Sequence, residues 1–153
     1  MSRVRSRYRS LETIMGLRRL VERQARSATL LAEQRVDSAK RQQDSEHTRL
    51  EETVSAWTAL LQGGSFAPEL VLSWSGAVNR QVERLDAASA ALQGEQRQLQ
   101  HARTRQNIAG SERDCAEALW RRARFRYAAW REEQAMAEVG DAITRSHMTK
   151  LRS

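Results

Sequence analysis

The second half of the chain places its apolar residues on a seven-residue repeat. One column holds Val78, Leu85, Leu92, Leu99, Gln106, Arg113, Trp120, Tyr127 and Gln134. The other holds Gln81, Ala88, Glu95, Ala102, Ala109, Ala116, Ala123, Trp130 and Ala137. A heptad sustained this long predicts left-handed coiling against a partner helix. Alanine in the second column lets the partner backbone come close. Gln106 and Arg113 interrupt the seam, where polar residues set register at a cost in stability. The pattern predicts a helix over about 77–148.

The first half repeats less strictly. A stripe runs from Ile14 through Leu17, Val21, Ala25, Ala28, Ala32, Val36, Ala39, Gln43, Glu46, Leu50, Val54 and Trp57 to Leu61. Its steps are three or four residues, the spacing of one helical face. A helix over about 5–61 is predicted. Its ends are apolar, but its middle, from Glu33 to Arg49, is nearly all polar and is expected to pack weakly.

Between the two blocks, Gly63-Gly64-Ser65 stops the first helix and Pro68 forbids a helix running straight through. An apolar patch follows, with Phe66, Leu70, Val71, Leu72 and Trp74; Pro68 there suits the first position of a short helical turn. The break is expected to span 62–76. It is too short to lay the second helix parallel to the first, so the chain must turn back. The expected architecture is all-α, an antiparallel two-helix coiled-coil hairpin forming a long rod and a single domain over 1–153. At about 1.5 Å per residue the helices would measure about 75 Å and about 105 Å. Leu61 is expected near Val78 and Ile14 near Phe125, with both termini at one end and the second helix overhanging.

Composition agrees with long helices. Ala, Arg, Gln, Glu and Leu dominate, and all are good helix formers. Cys115 stands alone, which excludes a disulfide framework. No apolar run approaches the ~18 residues of a membrane span, and no apolar h-region follows the Arg-rich N-terminus. A cytoplasmic protein is expected.

Nothing in the sequence carries catalytic chemistry. His47, His101 and His147 are isolated, and neither His-Glu-x-x-His nor Cys-x-x-Cys spacing occurs, so no metal site is expected. Gly63-Gly64-Ser65 lacks the lysine of a phosphate loop and reads as a hinge. Carboxylates beside arginines, as in Glu22-Arg23, Glu83-Arg84 and Glu112-Arg113, read as solvated helix faces. No catalytic residue, no cofactor and no enzymatic activity are expected.

Charge changes the picture. Lys and Arg number 26 against 19 Asp and Glu, a formal net charge of +7. Arg3, Arg5, Arg7 and Arg9 precede the first acid, Glu12. Arg121, Arg122, Arg124, Arg126 and Arg131 lie in a second acid-free zone between Glu117 and Glu132. A hairpin brings the two zones to one end, which favours an acidic partner: protein, nucleic acid or an anionic membrane. Acids interspersed along both blocks weigh against nucleic acid, and the even polarity of the helices weighs against an interfacial anchor. Trp120, Tyr127 and Trp130 fall on the core stripe, and Phe125 falls off it. At the hinge, Trp74 and Val78 share a helical face. Trp74 lies beyond the residues with which Leu61 could pair, so the hinge patch either caps the hairpin or is offered to a partner.

These features, with the Trp-Arg-rich stretches Ala118-Leu119-Trp120-Arg121-Arg122 and Ala129-Trp130-Arg131-Glu132-Glu133-Gln134, resemble the FliJ/YscO family, the central-stalk proteins of type III export systems of flagella and injectisomes. The resemblance covers nearly the whole chain. It implies an antiparallel two-helix stalk at the cytoplasmic face of the inner membrane, coupling the hexameric export ATPase to the export gate, with secretion chaperones as further partners. The end with both termini would enter the ATPase ring, presenting Arg3, Arg5, Arg7, Arg9, Arg121, Arg122 and Arg124. The hinge end would meet the cytoplasmic domain of the export gate, where Trp74 and Val78 occupy places comparable to the family's apolar contact surface and Leu70 adds to them. The Gly-Gly-Ser break and the Ala-rich seam depart from the family pattern. A generic coiled-coil adaptor or chaperone that binds partner helices is the alternative.

Overall fold

Helix α1 spans Arg3–Gln62 and helix α2 spans Pro68–Leu151. The computed structural model describes residues 3–64 and 67–151. Ser65 and Phe66, part of the expected break, lie outside the described residues. The two helices pack against each other antiparallel, and the packing resolves into two compact units. One unit joins α1 up to Gln24 with α2 from Asn107 onward; the other runs from Ala25 to Gln106 and holds the turn.

In the turn-bearing unit the seam of α1 is a strict heptad. Buried and half-buried residues fall at Ala25, Thr29, Ala32, Val36, Ala39, Gln43, Glu46, Leu50, Thr53 and Trp57, alternating steps of four and three, with Glu33 half-buried beside Ala32. Facing α2 positions follow the sequence repeat, with Gln81, Leu92 and Ala102 buried. The polar middle of α1 is matched across the seam. Gln43 Nε2 donates to Ser89 Oγ at 3.0 Å, and Gln81 Nε2 donates to the Glu46 carboxylate at 2.6 Å and to its backbone carbonyl at 3.1 Å.

In the other unit the expected α1 stripe is displaced by one residue. Met15 is 6% exposed and Ile14 44%; Glu22 is 7% exposed and Val21 44%. Leu17, also expected inside, is exposed. The turn-bearing unit corrects the stripe similarly: Thr29 is buried and Ala28 is not, while Val54 and Leu61 are exposed. The cause is the period. A stripe averaging 3.6 drifts by about 20° per heptad against a 3.5 seam, and α2, with Ala102, Ala109 and Ala116 buried seven apart, holds the seam at 3.5. Position decides burial, so Glu22 goes inward. Its carboxylate meets the Arg113 guanidinium at 2.8 Å.

The connection is tighter than expected. Gly63 N–H donates to the carbonyls of Ala59 and Leu60, at 3.2 and 3.3 Å, and Gly64 takes φ +74°, the left-handed conformation that ends many helices. Pro68 then opens α2 directly, so residues 68–76 belong to the long helix and do not form a separate segment. Proline is preset for the first helical position and has no N–H to leave unpaired. Ala67 O accepts from Leu70 and Val71 N–H, and Glu69 lies in the first turn, where its charge suits the helix dipole.

Candidate functional site

The basic zones of the two helices meet around one shallow groove of about 280 Å³. Arg3 and Arg7 line it from α1, and Arg122 and Arg126 from α2. Val4, Leu11, Leu119 and Ala123 supply its apolar surface. The heptad explains the convergence. Arg7 and Ile14 flank the α1 seam on the side where Leu119 and Arg126 flank the α2 seam, because like flanks meet in an antiparallel pair. None of the four arginines forms an ion pair among the described residues.

The other expected arginines do not join them. Arg9 is exposed and does not line the groove. Arg5 is half-buried, and its Nε is shielded with no acceptor among the described residues. Arg121 is engaged by Glu117 at 3.0 Å, and Arg124 lies 5.4 Å from the Trp120 ring centroid in cation–π geometry. Arg126 and the apolar lining went unpredicted as site residues. The signal for them was the seam-flanking column, which a count of arginines does not reveal.

Beside the groove the seam ends in aromatics. Tyr8 stacks on Tyr127 with centroids 4.8 Å apart and planes within 5°, and Tyr127 packs on Trp130 at 5.7 Å. Tyr127 therefore has Tyr8 opposite it. Ile14 was expected near Phe125, but Phe125 is 79% exposed and off the seam. Arg113, deeper in the same unit, is held between Glu22 and Asp114. Its guanidinium is raised above its ordinary pKa, first by the hydrogen bond to Asp114; burial opposes the rise, and the charge of Glu22 adds a lesser contribution to it. Beyond Trp130, every described residue of α2 from Arg131 to Leu151 is exposed.

The hinge patch divides. Trp74 is half-buried and packs on Trp57, with centroids 6.1 Å apart at 49°. It was expected to lie beyond the reach of α1; α2 starts at Pro68 and continues the seam through Val71 and Trp74, so α1 does reach it. Leu61 meets this end of α2, sharing a small hollow with Leu70, Val71 and Trp74 rather than facing Val78. Val78 is half-buried on the seam. Leu70 is 49% exposed, and Leu72, off the seam, is 76% exposed.

Among the described residues no cluster of three His, Cys, Asp or Glu could hold a metal ion, and no helix is long and apolar enough to cross a membrane. Cys115 is exposed. No family model matches the chain, and neither does any curated protein or solved structure. The fold and its surfaces define a two-helix antiparallel coiled coil with a basic, apolar-floored groove.

Proposed function

We propose that this chain is a non-enzymatic stalk or scaffold subunit of a type III protein export apparatus, coupling the export ATPase ring to the export gate. The observation that carries the reading is the groove: Arg3, Arg7, Arg122 and Arg126, drawn from both helices, surround apolar residues. Four cations without an ion pair among the described residues suit acidic loops or helices of a ring, and the apolar floor adds burial once they dock. At the hinge, Leu70 and Leu72 supply the exposed apolar surface for the gate's cytoplasmic domain, while Trp74 holds the turn by packing on Trp57. The work is mechanical coupling; the chain performs no chemistry.

The test is the triple change Arg7→Glu, Arg122→Glu and Arg126→Glu. Fluorescence anisotropy should show at least a tenfold loss of affinity for the export ATPase hexamer, about 1.4 kcal/mol, with helicity by circular dichroism unchanged. Wild-type binding that weakens with salt would agree. Undiminished binding by the triple variant removes the groove from the ATPase contact and the reading with it. The alternative, an adaptor that binds partner helices, is favoured by a different feature, the exposed Met136, Val139 and Ile143 of α2.

A further inference from the structure

Among the described residues the last stretch of α2 has no partner helix. Met136, Val139 and Ile143 are 78%, 59% and 57% exposed and step by three and four residues, so they share one face. A helical stretch with nothing to pack on is marginal in water, because helices in proteins are held mainly by burial of their apolar face. Between Glu132 and Asp141 the stretch carries Glu132, Glu133, Glu138 and Asp141 and neither Lys nor Arg. It is an acidic amphipathic helix. The groove lined by Arg3, Arg7, Arg122 and Arg126 in the same unit is its complement in charge and in apolarity.

The stripe cannot reach the groove of its own chain. α2 is continuous to Leu151, and at about 1.5 Å per residue Met136 stands about 20 Å along the helix from Ala123. A second copy resolves the mismatch. We infer that two copies of this chain pair antiparallel through this end, each laying the acidic C-terminal stretch of its α2 in the arginine groove of the other.

The register follows from symmetry. With the two-fold near Ala129 and Trp130, Arg126 of one copy lies level with Glu133 of the other, and Arg122 with Glu138. Met136, Val139 and Ile143 then cover the apolar side of the groove. The interface is isologous, so the same contacts form twice and close. This inference does not rest on the export reading. It does imply that a paired copy has its groove occupied and cannot offer the same arginines to an ATPase ring.

The test uses the full-length chain alone in analytical ultracentrifugation. The wild type should sediment as a dimer whose dissociation constant rises with salt. Arg122→Glu with Arg126→Glu should be monomeric, because acid then faces acid. Glu133→Arg with Glu138→Arg should be monomeric because arginine faces arginine. Mixing the two variants restores opposite charges at both sites and should restore the dimer. A chain ending at Trp130, which keeps every seam position of the groove, should be monomeric with its helical hairpin intact by circular dichroism. The inference is overturned by a wild type that stays monomeric up to about 100 μM, by a dimer that survives truncation at Trp130, or by variants that remain monomeric when mixed.

Discussion

Gln81 donates to both the carboxylate and the backbone carbonyl of Glu46, and both side chains are buried in the seam. Gln42 Nε2 and Arg49 complete the shell of the carboxylate, at 2.9 and 3.3 Å. A buried acid in a two-helix seam is costly unless paired. The contacts from Gln42 and Arg49 lie within α1, but the bonds from Gln81 cross the seam and exist in one register only. A slip of either helix would take away the Gln81 donor, so the pair favours one match between the heptads of α1 and α2.

Removing one partner should therefore hurt, and removing both should not. Gln81→Ala is expected to lower stability by about 1–3 kcal/mol, because it leaves a buried acceptor underbonded. Glu46→Leu with Gln81→Leu is expected to match or exceed wild-type stability, as apolar replacements of buried polar pairs often do. Urea unfolding followed by circular dichroism measures both. A double variant less stable than Gln81→Ala would contradict the argument.

The one-residue displacement of the α1 stripe makes a sharp comparison between neighbours. Met15→Ala should cost about 2–5 kcal/mol, as for a core side chain. Ile14→Ala should cost well under half as much, since Ile14 is 44% exposed. Thermal melts of the two variants decide it; equal losses would place the seam where the 3.6 period puts it.

Trp57 and Trp74 should behave as one unit. Each single change to Ala is expected to cost about 1.5–3 kcal/mol, the scale for burying a large apolar side chain. The double variant should cost less than the sum by about 0.5–1.5 kcal/mol, the coupling of an aromatic pair. A double-mutant cycle in urea reads the difference directly. Strict additivity would mean that the indoles are neighbours without interacting.

The turn discriminates between its two glycines. Gly64 has φ +74°, where a Cβ meets its own backbone, so Gly64→Ala should cost about 1–2 kcal/mol. At Gly63 a Cβ would sit in ordinary contact with the carbonyls of Leu60 and Ala59, at 3.5 and 3.6 Å. Gly63→Ala should therefore be much milder. Melting temperatures of the two variants provide the check, and the reverse order would be inconsistent with Gly64 as the helix-ending residue.

The second helix was legible from its residues because one small residue type, Ala, recurs seven apart from Ala102 to Ala123, alternating with a second column that holds Leu85, Leu92 and Leu99 before it turns polar at Gln106 and Arg113. Repetition of that kind has one geometric meaning. The two-glycine stop was equally legible, since Gly63-Gly64 permits a conformation that other residues resist. The first helix was not legible to the residue. Its most apolar N-terminal side chains, Ile14, Leu17 and Val21, stand beside the seam, and Met15, Glu22 and Thr29 occupy it. Hydrophobicity cannot reveal such a displacement, because the register of a helix in a coiled coil is imposed by its partner. The same holds for the groove. Two acid-free arginine zones are plain in the text, but which arginines converge depends on which columns flank the seam across the pair. Only packing decides that, since residues on two helices become neighbours through a shared register that neither helix encodes alone.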